Sequence, residues 1–290
     1  MLEGYFLHIL IIIGIYLILS LSLNLSVGFT GLLNMGHIAF FGISAYTSAL
    51  LVLSGIPYII AFILAGLVAS IFGFLLIFAT KNLKGDYLAL TTLGFSFVIY
   101  SIFLNWTELT RGPLGIPGIP KPEFFGFVVD TKLQYLIFVL IVCIAVYLFL
   151  SRLTSSKYGR LLEAVRDDQV RLETLGKNIF KLKIQSIMIS SFCAGLAGSL
   201  FAHYISFIDP GSFFIYDLIT VFTIVMVGGL ASNKGTVLAA FIILLIPEAL
   251  RFVDMPSSII GPMRQIIYAL ILIGILMYKP RGLYGKVDLE

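Results

Sequence analysis

Few residues in this chain stand at a type and spacing that could do chemistry. The densest stretch is SVGFTGLLNMGHIAFFGISAY, Ser26 to Tyr46, where Gly28, Gly31, Gly36 and Gly42 surround Asn34 and His37. Glycine lets a backbone unwind or approach a neighbour closely, and unwound backbone can offer N–H and C=O groups to an amino-acid zwitterion in a sealed cavity. The same residues also suit helix packing, with Asn34 as a cap and His37 hydrogen-bonded. A single His without a neighbouring Asp or Glu is a poor metal or proton-relay group. Paired hydroxyls stand at Thr91 and Thr92 and at Ser190 and Ser191. With Asn34, Gly36 and His37 they are the candidate lining of a translocation pathway. Bonding back to their own helices is the competing use. Glu248 and Arg251, about one helical turn apart, are expected to pair with each other.

Catalytic signatures are missing. GGLASNKGT (Gly228 to Thr236) lacks the Gly-Lys-Ser/Thr order of a phosphate loop, so no ATP is expected on this chain. Neither HExxH nor a nucleophile elbow occurs, and the centres of the apolar runs carry no acid, which speaks against a protease and a proton-coupled pump. No catalytic residue, metal or bound cofactor is expected. Cys143 and Cys193 lie singly inside apolar runs and read as packing residues.

The elements that must position these groups belong in a membrane. The chain is 59% hydrophobic and 12% charged, with a mean hydropathy of +1.06. A soluble domain would be about one quarter charged. The basic residues behind the net charge of +4 sit in short loops, so they report orientation and not a nucleic-acid partner. With roughly 20 residues per helical span as the ruler, nine candidate spans result: Tyr5 to Val27, Met35 to Leu53, Tyr58 to Thr80, Tyr87 to Asn105, Leu133 to Ser151, Ile184 to Ser206, Phe214 to Leu230, Gly235 to Val253 and Ile259 to Tyr278. The first is expected to be a retained span, because no basic n-region or cleavage site accompanies it. Gly, Ser and Asn at the ends of the second and seventh spans leave a broken or re-entrant helix open for either. The expected architecture is an all-α polytopic membrane protein with a single permease domain over 1–290.

Orientation follows from the segment between Arg152 and Lys183. It holds Arg152, Lys157, Arg160, Arg166, Arg171, Lys177, Lys181 and Lys183 against Glu163, Asp167, Asp168 and Glu173, so it should be cytoplasmic. Alternation then puts Lys81, Lys84, Lys234 and the tail with Lys279, Arg281 and Lys286 on the same side, with the N-terminus out and the C-terminus in. Asn105 to Lys132 and Phe207 to Phe213 fall outside. Within the basic loop, Tyr158, Leu161, Leu162 and Val165 share one helical face, expected to seat in a groove of a partner. Asp168 can cap a second short helix ending at Gly176, and Asn178 can cap the sixth span.

The loop and its continuation, GRLLEAVRDDQVRLETLGKNIFKLKIQSIMISSFCAGLAGSLFA, resemble the permeases of branched-chain amino acid ABC importers of the LivM type. LNLSVGFTGLLNMGHIAFFGISAYTSALL, LKGDYLALTTLGF, TRGPLGIPGIP, DPGSFFIYDLITVFTIVMVGGLASNKGTVLAA and KPRGLYG agree in the same order, covering nearly the whole chain. Two positions depart: Arg111 stands where the family usually has a small residue, and Ala231 where glycine is usual. The resemblance implies a permease moving leucine, isoleucine or valine by alternating access, in the plasma (inner) membrane of a prokaryote. The implied partners are a second homologous permease, two cytoplasmic ATPase subunits holding ATP and magnesium, and an extracytoplasmic solute-binding protein. The loop 152–183 would then be the ATPase-coupling element, through Tyr158, Leu161, Leu162, Glu163, Ala164, Arg166, Leu172 and Gly176. Urea or a short amide as cargo, and a secondary amino-acid transporter, stay open as alternatives.

Overall fold

A computed structural model describes residues 2–124, 127–249, 257–279 and 281–285. Its helices in chain order are α1 (Leu2–Asn24), α2 (His37–Leu53), α3 (Tyr58–Ala79), α4 (Gly85–Asn105), the single turn α5 (Thr107–Thr110), α6 (Lys132–Ser155), α7 (Lys157–Asp167), α8 (Gln169–Thr174), α9 (Ile179–Ile205), α10 (Ile215–Gly228), α11 (Asn233–Ala249) and α12 (Ser257–Tyr278). The apolar runs of the sequence fall on the longer helices, the end of the eighth, 250–253, lying outside the described residues. Among the described residues six segments are long and apolar enough to cross a membrane, and the apolar stretches His37–Leu53, Asn233–Ile246 and Gln265–Ile275 are shorter.

Helix ends follow local chemistry. Thr131 and Gln134 form a reciprocal capping box at the start of α6. The α2–α3 turn uses Gly55 at φ 89° followed by Pro57. Helix α6 runs on to Ser155 and α9 begins at Ile179, so the basic segment is helical at both ends and its true connection is shorter than expected. The cause is capping: Ser156 accepts from the N–H groups of Tyr158 and Gly159, and Asn178 accepts from that of Lys181.

Helix α1 lies at the centre, packed by α6, α9, α10 and α11. Against it stands a second group in which α9 packs closely on α2 and α3 through small residues. A side chain at Gly195 would approach Gly66 Cα to 2.8 Å, and one at Gly198 would approach the Phe41 carbonyl oxygen to 2.2 Å. Without a hydrophobic drive between helices in lipid, such close backbone approach supplies the van der Waals attraction that holds them. Helix α4 leans mainly on α2 and keeps Tyr87, Leu90 and Val98 exposed, as is Trp106 just past its end.

Two connections meet at one end of the bundle. β1 (Ile116–Pro117) pairs antiparallel with β4 (Phe207–Ile208), Ile116 opposite Ile208, and β2 (Glu123–Phe124) pairs with β3 (Phe127–Val128). At the other end, α7 and α8 lie against the ends of α1 and α9. There the tail reaches the α10–α11 turn, with Leu283 N–H donating to the Val227 carbonyl at 2.8 Å and Tyr284 N–H to that of Gly228 at 3.1 Å.

Candidate functional site

The buried polar residues concentrate where α1 ends. Helix α1 runs into a π-helical turn, Leu25–Phe29, fully buried, after which the chain is non-helical to Gly36 before α2 starts. A π turn closes i→i+5 bonds, and Thr30 adds a side-chain version by donating to the Leu25 carbonyl at 2.9 Å. The glycine-rich stretch is therefore a break in the helical path.

Most candidate pathway residues gather on this break. His37 Nε2 lies 2.8 Å from Ser22 Oγ and 3.2 Å from the Leu19 carbonyl oxygen, tying α2 to α1. Ser190 donates to the Ser22 carbonyl at 2.6 Å, and Ser186 Oγ lies 2.5 Å from Thr30 Oγ1, so α9 holds the same region. Asn34 Oδ1 accepts from the Gly36 N–H at 3.0 Å, while its Nδ2 is buried without a hydrogen-bond partner. Thr92 accepts from the Met35 N–H at 3.0 Å, and Ser96 donates to the Met35 carbonyl at 3.1 Å, docking the unwound segment on α4. The sequence neighbours do not join them. Thr91 is exposed and bonds back to the Tyr87 carbonyl at 2.8 Å. Ser191 bonds back to Ile187 at 2.7 Å and packs against Gly73. Among the described residues no group of three or more His, Cys, Asp or Glu could hold a metal ion.

Two buried groups, Asn24 and Asp217, escaped the sequence reading. Asn24 is fully buried at the π turn; its Nδ2 donates to Thr236 Oγ1 at 3.0 Å and its Oδ1 accepts from the Ala231 N–H at 3.1 Å. The two glycine-rich stretches thus meet, for a side chain at Gly28 would come within 2.5 Å of Ala231 N. A polar residue inside an apolar run was the available signal. Asp217, near the start of α10, accepts a hydrogen bond from Tyr16, well inside α1, so a carboxylate does stand within a candidate span. The expected partner of Glu248, Arg251, lies outside the described residues; Glu248 accepts from Tyr5 of α1.

The loop 152–183 reaches the break directly. Arg166 Nη1 donates to the Gly28 carbonyl at 2.8 Å, and its Nε pairs with Asp167 at 2.8 Å. Gly31, at φ 71°, fits beneath it, since a side chain there would lie 2.7 Å from Arg166 Cγ. Leu162 and Val165 are fully buried and Leu172 nearly so, Leu161 and Ala164 are half-buried, and Glu163 is partly covered. This corrects the expectation that the apolar face of α7 seats in a partner: the face is used within this chain. Exposed apolar side chains on the loop are Val170 and Leu175 at 67% and 73%. Asp168 accepts from the Arg171 N–H at 3.1 Å, and Gly176, exposed at φ 72°, ends the second short helix. Burial pushes the Tyr158 phenol up to about 12, so it is neutral at physiological pH.

A bundle of this kind, apolar on its outer faces and polar around an internal break, is a multi-pass α-helical membrane protein. The family model described as branched-chain amino acid transport system / permease component matches residues 5–278, and the chain belongs to that family. It is 34% identical over 93% of its length to the high-affinity branched-chain amino acid transport system permease protein LivM of Salmonella typhimurium and 35% identical, over the same share, to that of Escherichia coli. It spans 67% of each of those relatives. A probable branched-chain amino acid transport permease protein LivM of Methanocaldococcus jannaschii is 29% identical over 95% of this chain and 92% of its own. No solved structure matches.

Proposed function

We propose that this chain is one permease subunit of an ATP-driven importer for leucine, isoleucine and valine, crossing the plasma membrane of a prokaryote nine times with the N-terminus outside. It works beside a second homologous permease. Two cytoplasmic ATPase subunits, which carry the ATP and magnesium, dock on the loop 152–183, and an extracytoplasmic binding protein delivers the cargo. The observation that carries this reading is the Arg166 bridge from the loop to the Gly28 carbonyl in the broken helix. A partner that displaces α7 pulls on a buried non-α segment at the end of α1, and alternating access needs such a two-state element.

Three further observations support it. The loop leaves Val170, Leu175 and a mixed-charge surface uncovered, the composition of a docking rim. The α6–α9 loop, the α10–α11 turn and the tail share one end of the bundle, with Asn233 Nδ2 donating to Thr154 Oγ1 at 3.1 Å, while the connections poor in Lys and Arg pair at the other. Asn34, Gly36, His37, Thr92 and Ser190 lie around the break, where opening it would expose their polar atoms to cargo; Thr91 and Ser191 face elsewhere and leave that set.

Uptake of labelled leucine and labelled urea by cells with the whole system, against cells lacking this chain, tests the cargo. Leucine uptake should depend on the chain and compete with isoleucine and valine; dependence of urea uptake alone would reverse the assignment. Cysteines introduced at Ser156 and Thr131 test the topology, because an impermeant thiol reagent on intact cells should label Thr131→Cys and spare Ser156→Cys.

A further inference from the structure

A groove of about 700 Å³ opens between α6 and α9, floored by α3 and closed at one end by α7. Its walls include Ala145, Phe149, Phe192 and Leu196, and its inner side reaches Cys193, which is 2% exposed. The cargo proposed above does not fit here. A zwitterion needs groups for an ammonium and a carboxylate, and these walls are almost wholly apolar.

The polarity of the groove is graded. Gln185 and Tyr158 stand at the α7 end, and the Tyr158 hydroxyl is buried with no hydrogen-bond partner. Exposed cations stand close in the chain to the residues of that mouth: Arg152 next to the lining residue Leu153, Lys157 next to Tyr158, and Lys181 one turn before Gln185 on the same face of α9. From Gln185 to Leu196 the helix rises about 16 Å, about half of the roughly 30 Å hydrocarbon core. The groove therefore has the depth of one leaflet.

The flanks identify the solvent. Helix α6 exposes Ile137, Leu140, Ile141, Ile144 and Leu148, and α3 exposes Ile63, Leu67 and Ile71, so the groove opens onto an apolar band. A hydrocarbon chain from that band matches the apolar walls and leaves no polar group of its own against them.

We propose that this groove holds an acyl chain of an anionic phospholipid from the leaflet at the α7 end, with its headgroup among Arg152, Lys157 and Lys181 and within reach of the Tyr158 hydroxyl. The lipid braces the start of α7 and hence the Arg166 link. The site needs only that the bundle is embedded in a membrane, so it stands apart from the assignment of cargo and of partners.

Native mass spectrometry of the assembled complex, exchanged in detergent with phosphatidylglycerol or phosphatidylcholine, tests it. The wild type should keep one phosphatidylglycerol per copy of this chain under conditions that strip phosphatidylcholine. Ala145→Trp, which fills the groove, should lose that lipid, whereas Leu148→Trp on the neighbouring exposed face should not. Lys181→Glu and Arg152→Glu, at exposed positions that folding tolerates, should each lower the preference for phosphatidylglycerol by about fivefold or more. Equal retention of the two lipids by the wild type would overturn the proposal. So would charge reversals without effect, or an Ala145→Trp complex that keeps its lipid and sheds a protein subunit.

Discussion

Replacing Arg166 with Met removes the donors that bridge the loop to the π turn while keeping most of the stem that packs on Gly31. Arg166 is largely covered, its side chain 16% exposed, and its Nη1 donates to the Gly28 carbonyl at 2.8 Å. A hydrogen bond from a charged donor contributes about 1.5–3 kcal/mol net. At about 1.4 kcal/mol per decade this is roughly a 10- to 150-fold shift in whatever equilibrium makes and breaks the bond. The Asp167 pair adds little, because Asp167 is 63% exposed and such pairs contribute about 0–1 kcal/mol. If the bridge transmits ATPase closure, the variant complex reconstituted in vesicles should keep its ATPase subunits and basal hydrolysis. Cargo moved per ATP hydrolysed, with loaded binding protein present, should fall at least tenfold. Gly31→Ala should act in the same direction, since its φ of 71° and the Arg166 backbone 3.1 Å away leave no room for a side chain. Transport per ATP unchanged in Arg166→Met, with only a lower melting temperature, would refute the reasoning and leave the bridge a local brace.

Leu162→Asp should unfold or misassemble the chain itself, with about 1.5–3 kcal/mol of lost burial plus a buried carboxylate, whereas Val170→Asp or Leu175→Asp should leave its melting temperature unchanged and release the ATPase subunits, scored by co-purification. Asn24→Ala should cost about 1–3 kcal/mol by stranding the Ala231 N–H, read as a drop in thermal stability that Asn24→Asp does not fully match. Ala231→Gly and Arg111→Gly should each stabilise by about 0.5–1 kcal/mol, because these residues sit at φ 59° and 61°; a lower melting temperature for both would contradict the strain argument.

Those last two positions show how far the sequence could be read. Arg111 and Ala231 stood out as departures from a family pattern of small residues, and both have left-handed backbones, where the missing Cβ of glycine is the cheaper choice. Helix positions were legible because long apolar runs have few alternatives in lipid. The caps at Asp168 and Asn178 were legible because their short polar side chains reach the third N–H that follows. What periodicity could not decide was the occupant of an apolar face. The stripe Tyr158, Leu161, Leu162 and Val165 looks the same whether it docks on a partner or on its own bundle, and the answer lies in distant residues such as Gly28 and Gly31. Paired hydroxyls misled for a related reason: adjacent residues on a helix point about 100° apart, so Thr92 and Ser190 reach the break while Thr91 and Ser191 turn away from it.

The break between α1 and α2 is held from four directions. Arg166 of α7 takes the Gly28 carbonyl, Thr92 and Ser96 of α4 take the backbone of Met35, Ser186 and Ser190 of α9 take Thr30 and Ser22, and Asn24 takes the turn before α11. The neighbouring helices α4, α9 and α11 are regular, and in them a displacement at one end is carried rigidly to the other. A π turn followed by unwound chain can instead exchange one set of hydrogen bonds for another, since the regular i→i+4 ladder is already interrupted there. A pull on α7 is therefore absorbed first at Gly28, where Arg166 is attached. Each of the four clamps ends on a different helix, so a rearrangement there must be felt by α4, α9 and α11 together. That makes the break the place where a local movement of the loop can become a rotation of helices against one another.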